Sequence, residues 1–305
     1  MPSLRRTESG TVLRGVFALL FTPFDVGGNG IDASSMRRQN DFVLGAGVSG
    51  VVACGKAGEF EGMDLVEVEQ VLSLVMESVA GRVPVGMGII SVEQEEGVRA
   101  AGVAARCGAD FAMVKKLSFD RVRDFYLSLA DLIPVMVYDQ TNEGNLDVST
   151  LALPLLEECE RIVAMKVSGN VYSIGQIKEA QPEVPLLCGW DTFSLLGYLS
   201  GSDGVVAGSA SFMPEREVEL HRLARAGQWE DARHLFYDRM LPIIAFATPD
   251  PYAFSVCKHL LHWKALFDSP AVRLPYTNTP DWMNAEMRAL AERLNLVPGT
   301  ASGDG

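Results

Sequence analysis

Apolar residues fall along this chain in short, mostly unbroken runs, at 16–20, 50–53, 83–87, 111–114, 135–138, 162–167, 184–188 and 204–207. Runs this short, rich in Val and Ile and apolar at consecutive rather than alternate positions, predict strands buried on both faces, as in a parallel sheet covered by helices. Between them the segments 65–79, 93–107, 119–132 and 148–159 carry apolar residues at helical spacing. Each is long enough to cross from one parallel strand to the next. Eight strand–helix units ending near residue 225 predict an α/β fold, a closed (β/α)8 TIM barrel, which typically takes about 250 residues. A doubly wound open sheet is the alternative.

Past the eighth run the pattern turns purely helical, at 216–226, 229–248, 252–266 and 282–294, with Gly, Pro and Asp between the segments. The expected organisation is a mobile N-terminus over 1–14, the barrel over 15–225, a C-terminal helical region over 226–298 and a mobile, Gly-rich tail over 299–305.

Composition narrows the choice of partners. With 48% hydrophobic and 21% charged residues among 305, the chain has the profile of a folded globular protein. Its 39 acidic against 26 basic residues leave a formal charge of -13, which repels phosphate backbones and anionic membrane faces. No nucleic-acid or membrane partner is expected. The five cysteines, Cys54, Cys107, Cys159, Cys188 and Cys257, sit singly, which fits a reducing compartment, so a cytoplasmic location is expected. Arg5-Arg6 superficially suggests a twin-arginine leader, but the apolar run after it is too short for a signal core, and no run approaches membrane-spanning length.

Barrel enzymes place their chemistry at the C-terminal ends of the strands. Tyr138 closes the fifth run and Lys166 sits in the last part of the sixth. Neighbouring strands run about 4.8 Å apart, so a phenol and an amine at these two ends can share one cavity. A lysine inside an apolar strand loses solvation of its charged form, which lowers its pKa and frees a nucleophilic amine suited to Schiff-base chemistry, with the phenol as proton relay. Position alone fits equally a lysine snorkelling to solvent and a packed tyrosine. The loop Gly55-Lys56-Ala57-Gly58-Glu59 after the second run is suited to holding a carboxylate on its backbone N–H groups, or is simply a tight strand–helix turn. No Gly-Lys-Ser/Thr closes it as a phosphate loop. His259 and His262 share a helix face, yet no carboxylate or cysteine stands at matching spacing, so no metal site is expected.

Taken together, Gly55-x-x-Gly58-Glu59, Tyr138, Lys166, Gly189-x-Asp191 and Gly204-Val205-Val206 resemble the dihydrodipicolinate synthase and N-acetylneuraminate lyase family. Phe17-Ala18-x-x-Phe21-Thr22-Pro23-Phe24 is similar to that family's first strand, and Arg82-Val83-Pro84-Val85 with Gly88 to its third. The resemblance spans residues 15–296 and implies a class I aldolase or related dehydratase, needing no cofactor, commonly a tetramer. It further implies that Lys166 forms a Schiff base with a 2-oxo acid, usually pyruvate, that Tyr138 relays protons, and that the 55–59 loop binds the 2-oxo acid's carboxylate.

Several positions depart from the family pattern. Lys56-Ala57 stand where hydroxyl side chains usually do, Glu143 replaces an arginine that holds a second carboxylate, Asp139 replaces an asparagine, and Val114-Lys115-Lys116-Leu117 lacks the usual Pro-Tyr-Tyr. The expected site is therefore Lys166 and Tyr138 surrounded by Gly55, Lys56, Ala57, Gly58, Lys115, Asp139, Glu143, Asp191 and Val206. Its acidic character favours a polyhydroxylated or amine-bearing aldehyde partner over a dicarboxylate and argues against dihydrodipicolinate synthesis. The remaining alternatives are a Schiff-base dehydratase of a 2-oxo-3-deoxy sugar acid and a catalytically degenerate metabolite-binding barrel. Large apolar side chains at Trp229, Leu235, Phe236, Trp263 and Phe267 suggest surface that one barrel does not bury, hence a homo-oligomer, dimer or tetramer.

Overall fold

The computed structural model describes residues 5–91, 93–116, 121–140, 152–168, 170–247 and 251–299. Eight parallel strands close into a barrel in sequence order: β1 (Gly15–Leu19), β2 (Gly50–Ala53), β3 (Val85–Ser91), β4 (Phe111–Lys116), β5 (Val135–Gln140), β6 (Ile162–Ser168), β7 (Leu186–Cys188) and β8 (Gly204–Ala207). The ladder from β8 back to β1, Gly15 opposite Gly204 through Ala18 opposite Ala207, completes the circle and excludes the open sheet.

Every strand falls on a predicted apolar run, but the ends differ. β3 starts two residues later and continues to Ser91, β4 runs on through Lys115 and Lys116, and β5 through Asp139 and Gln140. These extensions are polar or Gly-containing, so the apolar pattern stops while the backbone ladder continues, with Ile90 opposite Lys115 and Gln140 opposite Ser168. At the interior, Phe17 and Phe111 meet edge to face at 5.9 Å, and Gly50 and Gly86 make room for them. A Cβ at Gly50 would lie 2.2 Å from the Phe17 ring, and one at Gly86 2.4 Å from Phe111.

The crossovers are α1 (Ala33–Gly45), α2 (Leu65–Val79), α3 (Gln94–Cys107), α4 (Val122–Ala130), α5 (Leu153–Glu158), α6 (Tyr172–Ala180) and α7 (Ser194–Leu199), with α8 (Pro214–Arg225) after β8. α2 coincides with its predicted span because its start is chemically marked: Asp64 accepts from the N–H groups of Val66 and Glu67, and Glu67 accepts from the N–H of Asp64. The predicted long helix over 229–248 divides into α9 (Trp229–His234), a π-helical turn (Leu235–Met240) and α10 (Leu241–Phe246). Pro242 lies in the first turn of α10, where its missing N–H leaves no helical bond broken, and the π turn absorbs the change of register before it. α11 (Ala253–Trp263) and α12 (Asp281–Arg293) complete the C-terminal region.

The N-terminal segment expected to be mobile is instead docked from residue 5. Arg5 donates to the carbonyls of Cys159 and Ile162 at 2.6 and 2.8 Å, and also to that of Leu156, while Arg161 pairs with Glu8. Residues 1–4 and 300–305 lie outside the described ones. At the other end of the chain, Lys258 of α11 and Glu59 form a fully buried ion pair that ties the C-terminal helices to the loop after β2. Among the described residues, no helix is long and apolar enough to cross a membrane.

Candidate active site

Lys166 and Tyr138 stand directly opposite each other in the β5–β6 ladder. Lys166 is 2% exposed, and its Nζ lies 3.9 Å from the centre of the Tyr138 ring. Gly189, just past β7, is what gives the lysine its path: a Cβ there would sit 2.4 Å from Lys166 Cε and 2.2 Å from Ser168 Oγ. Burial pulls the Lys166 pKa down to about 8, against the attraction of Asp191 and with a small push from Lys115. Its Nζ makes no hydrogen bond with the described residues.

Above this pair opens a cavity of about 170 Å³ at the C-terminal mouth of the barrel. Leu19 and Phe21 from the end of β1, Met113 of β4, and Gly189, Trp190 and Asp191 after β7 form its wall. Gly208, Ser209 and Phe212 close the β8 side, and Ile244, Ala247, Phe254 and Cys257 of the C-terminal helices roof it. Trp190 stacks on Phe193 with ring centres 5.5 Å apart, which orders the indole at the cavity wall.

The loop after β2 contributes Lys56 and Ala57 to the lining. Its conformation is over-determined. Thr22 donates to the Gly58 carbonyl at 2.7 Å, Gly58 packs where a Cβ would come 3.0 Å from the Cys54 nitrogen, and Glu59 adopts a left-handed φ of 58°. The Glu59 carboxylate is spent on the Arg273 N–H at 2.7 Å and on Lys258, so this acid is structural. Burial pushes Glu59 up and Lys258 down to about 8, each against the attraction of the other.

Of the residues expected around Lys166 and Tyr138, the structure brings Lys56, Ala57 and Asp191 to the cavity. Gly55 and Gly58 shape the loop without lining it. Asp139 follows Tyr138 within β5, and strand alternation turns it to the other face, where it is buried at 3% exposure. Val206 is a fully buried residue of β8 below the mouth, and Lys115 is buried within β4, its Nζ 5.8 Å from the Tyr138 ring. Neither lines the cavity. Glu143 and the chain after Lys116 fall outside the described residues. His259 and His262 each spend Nδ1 on a backbone carbonyl, those of Ser255 and Phe267, both at 2.9 Å.

Two polar residues had not been singled out. Asp191 Oδ1 accepts from the Ser209 N–H at 2.8 Å and from Ser209 Oγ at 2.6 Å, and the same hydroxyl lies within hydrogen-bond distance of Glu217 Oε1. Glu217 belongs to α8, is fully buried, and is pushed up to about 8, first by burial and then by the Asp191 charge, against the Ser209 hydrogen bond. Ser209 was discoverable as the residue after the Gly that follows the eighth apolar run. Glu217 was discoverable as an acid at an apolar position, since Leu220 and Ala224 continue its buried stripe at i+3 and i+7.

Comparison with known proteins agrees with this architecture. The sequence model of the Dihydrodipicolinate synthetase family matches residues 12–294. An N-acetylneuraminate lyase of Citrobacter koseri is 28% identical over 291 residues, 92% of this chain and 97% of that protein. A 4-hydroxy-tetrahydrodipicolinate synthase of Methanosphaerula palustris is 29% identical, covering 91% and 97%. Among solved structures, a dihydrodipicolinate synthase from Rhodopseudomonas palustris superposes with a TM-score of 0.85 at 25% identity, over 95% of this chain and all of that one.

Proposed function

The chain belongs to the dihydrodipicolinate synthetase family, whose relatives here are lyases acting on carbon–carbon bonds, and from that premise we propose that Lys166 forms a Schiff base with pyruvate or a related 2-oxo acid. The observation that carries this reading is the buried amine itself, with a pKa drawn to about 8, set against Tyr138 in the cavity at the mouth of the barrel. A neutral Lys166 amine attacks the ketone carbon and water leaves; the resulting iminium accepts the electron pair of the bond between its neighbouring carbon and the hydroxyl-bearing carbon as that bond breaks, and the enamine so formed takes up a proton before water releases pyruvate and the amine. The Tyr138 phenol carries the proton from the substrate hydroxyl that becomes the aldehyde, and in synthesis returns it. Lys56, at the edge of the cavity, supplies a cation for the 2-oxo acid's carboxylate in place of the missing loop hydroxyls.

The second substrate is proposed to be a polyhydroxylated aldehyde, so that the cleavable substrate is a sugar acid. Asp191 supports this: its Oδ1 is held by Ser209, while its Oδ2 has no hydrogen-bond partner among the described residues and stands at the cavity wall as an acceptor for hydroxyl groups. The Citrobacter koseri relative is likewise named for a sugar-acid cleavage. Glu143, an acid where dihydrodipicolinate-forming relatives place an arginine, is expected to make aspartate semialdehyde a poor acceptor. The deciding experiment is borohydride reduction in the presence of pyruvate, read by intact mass. A single adduct is expected on the native protein and none on Lys166→Ala; no adduct with any of several 2-oxo acids would defeat the reading.

A further inference from the structure

The hydroxyl of Ser209 has one proton and two carboxyl neighbours. Asp191 Oδ1 lies 2.6 Å away on one side, and Glu217 Oε1 is within hydrogen-bond distance on the other. A serine donates once, so both contacts are hydrogen bonds only if one carboxyl carries a proton. The surroundings of the two carboxyls differ. Asp191 is partly open to the cavity, receives the Ser209 backbone N–H as well, and faces the Lys166 ammonium. Glu217 is fully buried, and its Oε2 has no partner among the described residues, a situation tolerable for a neutral acid and costly for a carboxylate. The other titratable groups facing it are Cys188 of β7 and Tyr198 of α7, and burial pushes both upward, so both are neutral at neutral pH.

We propose that Glu217 is a buried, pH-sensitive positioning residue: as a neutral acid it donates to Ser209 Oγ, which directs the serine proton onto Asp191 Oδ1 and leaves Asp191 Oδ2 fixed and charged for the substrate. Ionisation reverses the chain. The Glu217 proton passes to Ser209 Oγ, the serine's own proton passes to Asp191 Oδ1 and from there to water in the cavity, so one proton is released in all. Afterwards Ser209 donates to Glu217, and Asp191 has lost its orienting hydroxyl and gained a buried negative neighbour. Charge-assisted hydroxyl recognition at Asp191 then weakens. The kinetic part of this inference rests on the sugar-acid reading above, whereas the protonation state of Glu217 does not.

The two are separated by two readouts on the full-length protein. Infrared difference spectra across an alkaline titration are expected to contain one protonated-carboxyl band that disappears with a midpoint near 8. It should be absent from Glu217→Gln, whose amide keeps the donor to Ser209 without the ionisation. Ser209→Ala, which removes the hydrogen bond that favours the ionised form, should move the midpoint of the same band upward, and this holds even if the first variant folds poorly. In kinetics, KM for the cleaved sugar acid is expected to rise about tenfold between about pH 7 and about pH 9.5, the scale of one lost charge-assisted hydrogen bond. In Glu217→Gln that rise should vanish, with pyruvate trapping at Lys166 unchanged. A native spectrum without the band, or an identical band or KM rise in Glu217→Gln, would overturn the proposal. Failure to trap pyruvate would instead defeat the aldolase reading, while the infrared band would still decide the state of Glu217.

Discussion

Lys166 carries the strongest consequence of any one residue, because its chemistry depends on which protonation state burial favours. Its folded pKa is drawn down to about 8, so the neutral amine fraction rises with pH until that point and levels off beyond it. The rate of adduct formation with pyruvate, followed by rapid-quench borohydride trapping, is therefore expected to climb about tenfold per pH unit below 8 and to flatten above it. A pH-independent rate would show that the amine does not control the step. Tyr138→Phe tests its neighbour: the ring keeps its place beside the amine, so adduct formation should persist while turnover falls about 10²–10⁴-fold, the usual contribution of a positioned acid–base group. Both residues were legible in the sequence because they end apolar runs on adjacent strands. Asp139 entered the expected site through the resemblance alone; the strand continues past the apolar run to Gln140, and alternation turns Asp139 away from Tyr138. Ser209 and Glu217 escaped notice because their importance lies in a contact between the β8 end and α8 that no local pattern encodes.

At the level of elements, the apolar runs located all eight strands, since burial on both faces leaves a continuous signature in the sequence. What they did not reveal was where strands end. Lys115 and Lys116 interrupt the apolar pattern of β4 without interrupting its hydrogen bonds to β3, and the cost of burying Lys115 inside the ladder is visible only in three dimensions. The link between the loop after β2 and α11 was equally hidden, since Glu59 and Lys258 lie 199 positions apart in the numbering and meet only in the folded chain. Lys258 also donates to the Ala271 carbonyl at 2.8 Å and lies 4.2 Å from the centre of the Phe24 ring, so one buried side chain joins three segments around the edge of the site. Lys258→Met should therefore leave Glu59 without its cation and cost about 3 kcal/mol or more in urea unfolding. The double variant Glu59→Gln with Lys258→Met should recover part of that loss, because a neutral amide is far cheaper to bury than an unpaired carboxylate. If the single variant unfolds at the native midpoint, the pair is not a strut.

On the scale of the whole molecule, the question is which surface remains for a second copy. The aromatic residues of the C-terminal helices suggested one, but Phe236 and Phe267 are at 2% and 1% exposure, folded onto their own barrel, and Leu235 and Trp263 pack partly against its core. Trp229 at 40%, Tyr237 at 52% and Trp282 at 64% exposure do keep aromatic surface in that region, and a second exposed group lies on the barrel helices. On α6 and α7, Tyr172 is 81%, Leu196 45% and Leu199 57% exposed, and the two helices are neighbours, Gly175 facing the Ser200 carbonyl at 4.0 Å from an ideal Cβ. Three large apolar side chains exposed on neighbouring helices are candidates for a surface buried by association. A patch on one side of a barrel closes most simply against its own copy about a twofold axis, and a second, independent twofold contact makes a tetramer. The acidic balance of the chain does not oppose this, because the α6–α7 patch itself is uncharged at these three positions. Sedimentation velocity at micromolar protein is therefore expected to show a species larger than one chain, with the tetramer as the family resemblance implies. Leu199→Glu should shift it to a smaller species, because each twofold contact would bring two buried carboxylates face to face. A native monomer, or an assembly indifferent to Leu199→Glu, would place the interface on another face of the barrel.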